Sequence, residues 1–201
     1  EIICAAKSPE GSRHRWLWLT KRPERMRQFA AWLKDRGIAW PQNLWAGTSV
    51  TSNQHLKRIR HLLQVPAPGH FVSCEPLLSR IDIARYLKPE FQFPQSDGST
   101  HYHTQAEFME CGSKDCKHSA KVLHRPALSW VIAGGESGKG ARPCAMEWLE
   151  DLARDCFAAK VPYFCKQLGS MAVSESRKIA GEWAWKAGLS STKGGSADDL
   201  P

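Results

Sequence analysis

No apolar stretch in this chain approaches the ~20 residues that an α-helix needs to cross a bilayer, and its start carries no secretory signal. A cytoplasmic protein with no membrane partner is expected. A disulfide framework is missing as well. Seven Cys, an odd number, are scattered over 201 residues, which suits reduced thiols. Nor is there a long Lys/Arg tract, although the net charge is +8 and the pI near 9.2. The basic charge reads either as a solvated surface or as contact with an anionic partner, nucleic acid being the first candidate. The chain lacks an initiator Met, and Glu1–Lys7 reads as the tail of a helix. It is therefore expected to be a fragment, with the missing N-terminal segment of the same protein as a partner.

What is present is enough apolar material for a real core, at 42% with nine Trp. The length fits one domain, or most of a barrel of about 250 residues. Five short apolar runs each end in polar, chemically capable residues. Trp16–Leu19 runs into Thr20-Lys21-Arg22, Leu44–Ala46 into Gly47-Thr48-Ser49, and Phe71-Val72 into Ser73-Cys74-Glu75-Pro76. Trp130–Ala133 runs into Gly134-Gly135-Glu136-Ser137, and Tyr163-Phe164 into Cys165-Lys166-Gln167. Helical patterns separate several of these runs. Met26, Phe29, Ala30 and Leu33 mark one face after Pro23; Leu56, Ile59, Leu62 and Leu63 mark a second helix; Leu149, Leu152, Ala153 and Cys156 mark a third, over Met146–Lys160. Short runs alternating with amphipathic helices predict an α/β fold with a parallel sheet. In such sheets, ligands gather beyond the carboxyl ends of the strands. The five polar endings are thus expected on one rim.

The regularity divides the chain into four stretches: a first (β/α) part over 1–87, an insertion over 88–127, a second (β/α) part over 128–169, and a polar tail over 170–201. The insertion shows little periodicity and is read as irregular. It holds Cys111-x4-Cys116-x-His118, with His124, His101 or His103 as further ligands. These are the elements of a zinc site at looser spacing than the usual Cys pair, set against a polar loop.

Along the rim, Gly134 to Gly140 is the densest signal. It reads as an anion-binding nest supported by Lys139 and Arg142, or as a tight strand-to-helix turn. It matches neither the phosphate-binding P-loop nor the dinucleotide fingerprint. Lys21 and Arg22 stand where a strand meets a helix N-terminus, a place that favours anions. Glu75 and Glu136 are the rim carboxylates. They suit an acid/base pair, a cation site, or plain ion pairs with Lys21 and Lys166. Cys74 makes a weak nucleophile, because no His is fixed beside it by sequence.

The segments LTKRPERM (Leu19–Met26), NLWAGTSV (Asn43–Val50), RIRHLLQVPAPGHFVSCEPLLSRIDI (Arg58–Ile83), WVIAGGESGKGARP (Trp130–Pro143) and VPYFCKQLG (Val161–Gly169) resemble a phage- and prophage-encoded family of uncharacterised proteins. Complete members carry an N-terminal three-cysteine motif and are related to radical-SAM proteins. The resemblance implies a partial TIM-like (β/α) barrel. In the full-length family it also implies a [4Fe–4S] cluster that binds S-adenosylmethionine. The Cys at 4, 74, 111, 116, 144, 156 and 165 contain no Cys-x3-Cys-x2-Cys, so this chain cannot hold the cluster by that motif. The expectation is a radical-SAM-like barrel fragment. Lys21, Glu75 and Glu136 would be its chemical groups, and Thr20, Arg22, Gly134, Gly135, Ser137, Lys166 and Gln167 would contact an anionic cofactor or substrate. The alternatives are a non-catalytic nucleic-acid-binding or docking protein on the same scaffold, and a hydrolase using the two glutamates.

Overall fold

A computed structural model describes residues 1–88, 90–94, 100–104, 123–125 and 127–174. Helix α1 (Ile2–Lys7) leads into β1 (Trp16–Thr20), α2 (Pro23–Asp35), β2 (Leu44–Ser49), α3 (Lys57–Leu62) and β3 (His70–Cys74). After the inserted segment come β7 (Trp130–Gly134), the short β8 (Cys144–Ala145), α4 (Met146–Ala159), β9 (Tyr163–Gln167) and β10 (Ala172–Val173). The five expected strands form one sheet in the order β1-β2-β3-β7-β9, and every neighbouring pair is parallel. Each strand is added beside the one before it, without the reversal of a doubly wound sheet. Among the described residues the sheet is open, with β1 and β9 at its edges.

Local chemistry accounts for the elements. Pro23 occupies the first turn of α2, where its missing N–H costs nothing, and Gly37 ends the segment at φ +68°. The predicted stripe of α2 is turned inward: Met26, Ala30 and Leu33 are buried, and Phe29 packs edge-on against Trp18 of β1. Trp18 in turn stacks on Trp40, whose indole N–H donates to the Leu44 carbonyl at 2.8 Å. Val72, Val131 and Ala133 are fully buried and belong to one core cluster with Ile59, Leu62, Leu149 and Leu152 of α3 and α4. Burying side chains of this size contributes roughly 1.5–3 kcal/mol each. Alternate residues point the other way. Leu17 and Leu19 on edge strand β1 are about half exposed, at 46% and 47%. Asn43 ties the α1–β1 connection down by donating to the carbonyls of Ala6, Gly11 and His14.

The insertion departs from the irregular reading. It contains β4 (Glu90–Pro94), β5 (Thr100–Thr104) and β6 (Leu123–Arg125), an antiparallel three-stranded sheet in the order β5-β4-β6. Its alternating Phe91-Gln92-Phe93 and His101-Tyr102-His103 are period-2 signals only a few residues long, easily lost among Pro, Gly and Ser. The inserted chain leaves and rejoins the main sheet at neighbouring points. Glu90 is in register with Arg125, and the Leu128 N–H donates to the Tyr86 carbonyl at 2.8 Å.

Candidate functional site

Because the five strands are parallel and pair in register, their polar endings do meet at one end of the sheet. Thr20 is paired with Thr48, Ser49 with Ser73, Cys74 with Ala133, and Gly134 with Gln167 across a bulge. At about 4.8 Å between strands, the rim from β1 to β9 spans roughly 19 Å. Its two sides differ in chemistry.

On the β3–β7–β9 side the polar groups hold one another. Glu75 follows β3 and is joined to Pro76 by a cis peptide bond. One carboxylate oxygen accepts from Lys166 Nζ at 3.1 Å, and the other from Gln167 Nε2 at 2.9 Å. The same Gln167 amide donates to the Gly135 carbonyl at 2.9 Å, so β3, β7 and β9 are tied together beyond their last ladder bonds. Of the two partners anticipated for Glu75, Lys166 is present and Lys21 is not.

Glu136 is matched within its own loop. Arg142 donates to it through Nε at 2.7 Å, NH2 at 2.9 Å and its backbone N–H at 2.9 Å. These bonds from Arg142, side chain first and then backbone, hold the carboxyl at about 2 against its usual 4.5. A carboxylate so stabilised is a weak base near neutrality. Arg142 is therefore the specific partner of Glu136. The sequence pointed to it only as one more cation beside the glycines, and its signal was the six-residue spacing inside one loop.

The glycines serve packing. A Cβ on Gly135 would sit 2.1 Å from the Leu168 carbonyl oxygen, so only glycine lets β9 run this close. The Gly135 N–H donates to the Gln167 carbonyl, the Gly134 carbonyl accepts from Leu77, and the Glu136 carbonyl accepts from Ser170. The N–H groups of Gly135, Gly138, Ala141 and Arg142 donate to Gln167, Ser170, Gly138 and Glu136, and this commitment of donors favours the tight-turn reading over the anion nest. Ser137 and Lys139 are exposed.

On the β1–β2 side, Lys21, Arg22, Arg25, Lys57 and Arg58 form no ion pair among the described residues. Thr20 accepts the Arg22 backbone N–H at 3.0 Å, and its own carbonyl accepts from Thr48 Oγ1 at 2.8 Å. This clamp sets the turn into α2. Lys21 and Arg22 then line a cleft of about 320 Å³, together with Arg25 from α2 and Lys57 and Arg58 from α3. Arg58 is anchored by a 2.8 Å bond to the Ser49 carbonyl at the end of β2. Arg25 was not singled out from the sequence, although its position three residues after Arg22 places both on one side of the first helical turn.

Four of the five described thiols are poorly placed for nucleophilic work. Burial pushes Cys74, Cys144 and Cys156 up to about 12, and raises Cys165 as well. Cys4 is exposed at the far end of the chain. Among the described residues, no group of three or more His, Cys, Asp or Glu is arranged to hold a metal ion. Of the anticipated zinc ligands, Cys111, Cys116 and His118 lie outside the described residues. His101 and His103 fall on β5 and His124 on β6, where both His103 and His124 are in register with Phe91. No helix among the described residues is long and apolar enough to cross a membrane.

Fold and rim together define a parallel α/β protein with a polar rim at the carboxyl ends of its strands. Residues 4–192 match the DUF5131 family, described as proteins of unknown function, and the chain belongs to that family. No curated protein and no solved structure matches it.

Proposed function

We propose that this chain is the ligand-binding part of a radical-SAM-like (β/α) barrel protein whose rim takes an anionic cofactor or substrate. The observation that carries this reading is the convergence of all five strand endings on one rim, with Glu75 and Glu136 paired to Lys166 and Arg142, and with Lys21 and Arg22 in no ion pair among the described residues. Sequential strand order without reversal supports the barrel, since a barrel is laid down in that way. In this reading Lys21 and Arg22 hold the anionic group. Lys166 and Gln167 orient Glu75, which accepts from an amino or hydroxyl group of the ligand.

An iron–sulfur cluster requires three thiolates at one place. The described thiols do not fit: four are buried, or nearly so, and held protonated, and none is grouped with two others at a metal site. Calorimetric titration of S-adenosylmethionine, whose carboxylate is the one anionic group that Lys21 and Arg22 would hold, tests the rim: binding weakened by Lys21→Gln is expected, and no binding overturns it. Anaerobic reconstitution with iron and sulfide tests the radical chemistry separately. Cluster absorbance and 5′-deoxyadenosine support it, and their joint absence removes it.

A second reading, a non-catalytic nucleic-acid-binding protein on the same scaffold, is favoured by the cations of α2 and α3 and by the net charge of +8. It predicts binding to DNA or RNA that falls steeply with salt and is indifferent to Glu136→Ala.

A further inference from the structure

The cleft between the start of α2 and α3 carries more than a share of the rim. Five cations, Lys21, Arg22, Arg25, Lys57 and Arg58, converge on about 320 Å³, and among the described residues Glu24 is the only carboxylate that lines it. Lys21, Arg22, Arg25 and Lys57 form no ion pair among the described residues. Like charges gathered around a recess repel one another unless an anion sits between them.

Three further observations point to what that anion is. The 13-residue α2 has no side-chain cap, so the positive end of its dipole opens on the same recess. His61 lines the cleft, and its Nδ1 is buried without a hydrogen-bond partner. His55 stands close by, and burial first and then the charges of Arg58, Lys57 and Lys21 disfavour its protonated form. The cations ring a concavity of ligand size and do not spread along a flat track, as an extended polyanion would require. With Glu24 counted, the five cations leave a net charge of about +4, which a single phosphate of about −2 half matches and a terminal diphosphate of about −3 matches more closely.

We propose that this cleft binds the diphosphate group of a phosphorylated small molecule, held by Arg25, Lys57 and Arg58 from the two helices and by Lys21 and Arg22 from the rim. It shares with the rim reading only Lys21 and Arg22, so its test turns on Arg25 and Lys57, which lie off the rim. Pyrophosphate is titrated into the chain by calorimetry at low ionic strength, with sodium sulfate as a competitor. One site is expected, and Arg25→Gln and Lys57→Gln should each weaken it at least about tenfold, with melting temperatures unchanged. Arg13→Gln, an equally basic position at the amino end of β1, should leave it unchanged. No heat at millimolar pyrophosphate, or equal weakening by all three variants, overturns the proposal. So does a short oligonucleotide that binds tightly and is not displaced by pyrophosphate. If pyrophosphate binding fails while S-adenosylmethionine still binds the rim, this inference alone falls.

Discussion

The two sides of the rim are built from the same kinds of residue and used in opposite ways. Around β3, β7 and β9, each carboxylate has a cation within hydrogen-bond distance, and a glutamine amide closes the network. Around β1 and β2, Lys21, Arg22, Arg25, Lys57 and Arg58 form no ion pair among the described residues, although Glu24 lines the same cleft. A matched charge holds strands together; an unmatched one in a recess is available to a ligand. In the proposed reading the basic side receives the anion, while on the acidic side Lys166 and Gln167 hold Glu75 in place for the ligand.

This comparison can be broken at either side. The largest effect is expected from Glu75→Ala, which strands the Gln167 amide and Lys166 together. Allowing for the exposure of Lys166, stability should fall by about 1–2 kcal/mol, read as a lower urea midpoint at unchanged slope. A loss too small to measure would mean that the network is not structural. Glu136→Gln should act through pH. The folded carboxyl titrates near 2 and the unfolded one near 4.5, so its stabilising contribution is complete above about 4.5 and is lost as the pH falls from there toward 2. The variant should therefore lose part of the acid dependence of its melting temperature in that window and melt close to the parent only below about pH 2. An unaltered acid slope would count against the Arg142 pairing. The smallest effect belongs to the basic side. Arg25→Gln and Lys57→Gln should change stability by no more than about 0.5 kcal/mol, or raise it slightly as repulsion is relieved. A large loss from either would show that these cations are scaffold too.

Much of this was legible from residues alone. Apolar runs with polar endings gave the five strands to within a residue or so, and parallel pairing then forced their endings together. Partner choice was not legible, because it depends on distances that a strand list does not contain. Lys21 follows β1 and Glu136 follows β7, three strand spacings apart or roughly 14 Å, beyond ion-pair reach. Arg142, in the same loop as Glu136, needs no sheet to bring it close. The role of Gly135 was hidden for a related reason. A glycine required by a neighbouring backbone looks, in sequence, like one required by a ligand. The strands of the insertion escaped because a few alternating residues do not outweigh the turn formers around them.

The side-by-side departure and return of the inserted segment, marked by Tyr86 with Leu128 and Glu90 with Arg125, also bears on how freely this architecture can vary. When a segment's two ends are already neighbours, its length enters stability only logarithmically. Shortening about forty residues to ten alters loop-closure entropy by two halvings, about 1.2 kcal/mol. The junction therefore works as a socket, at which sequences of very different size can be exchanged while β3 and β7 stay paired.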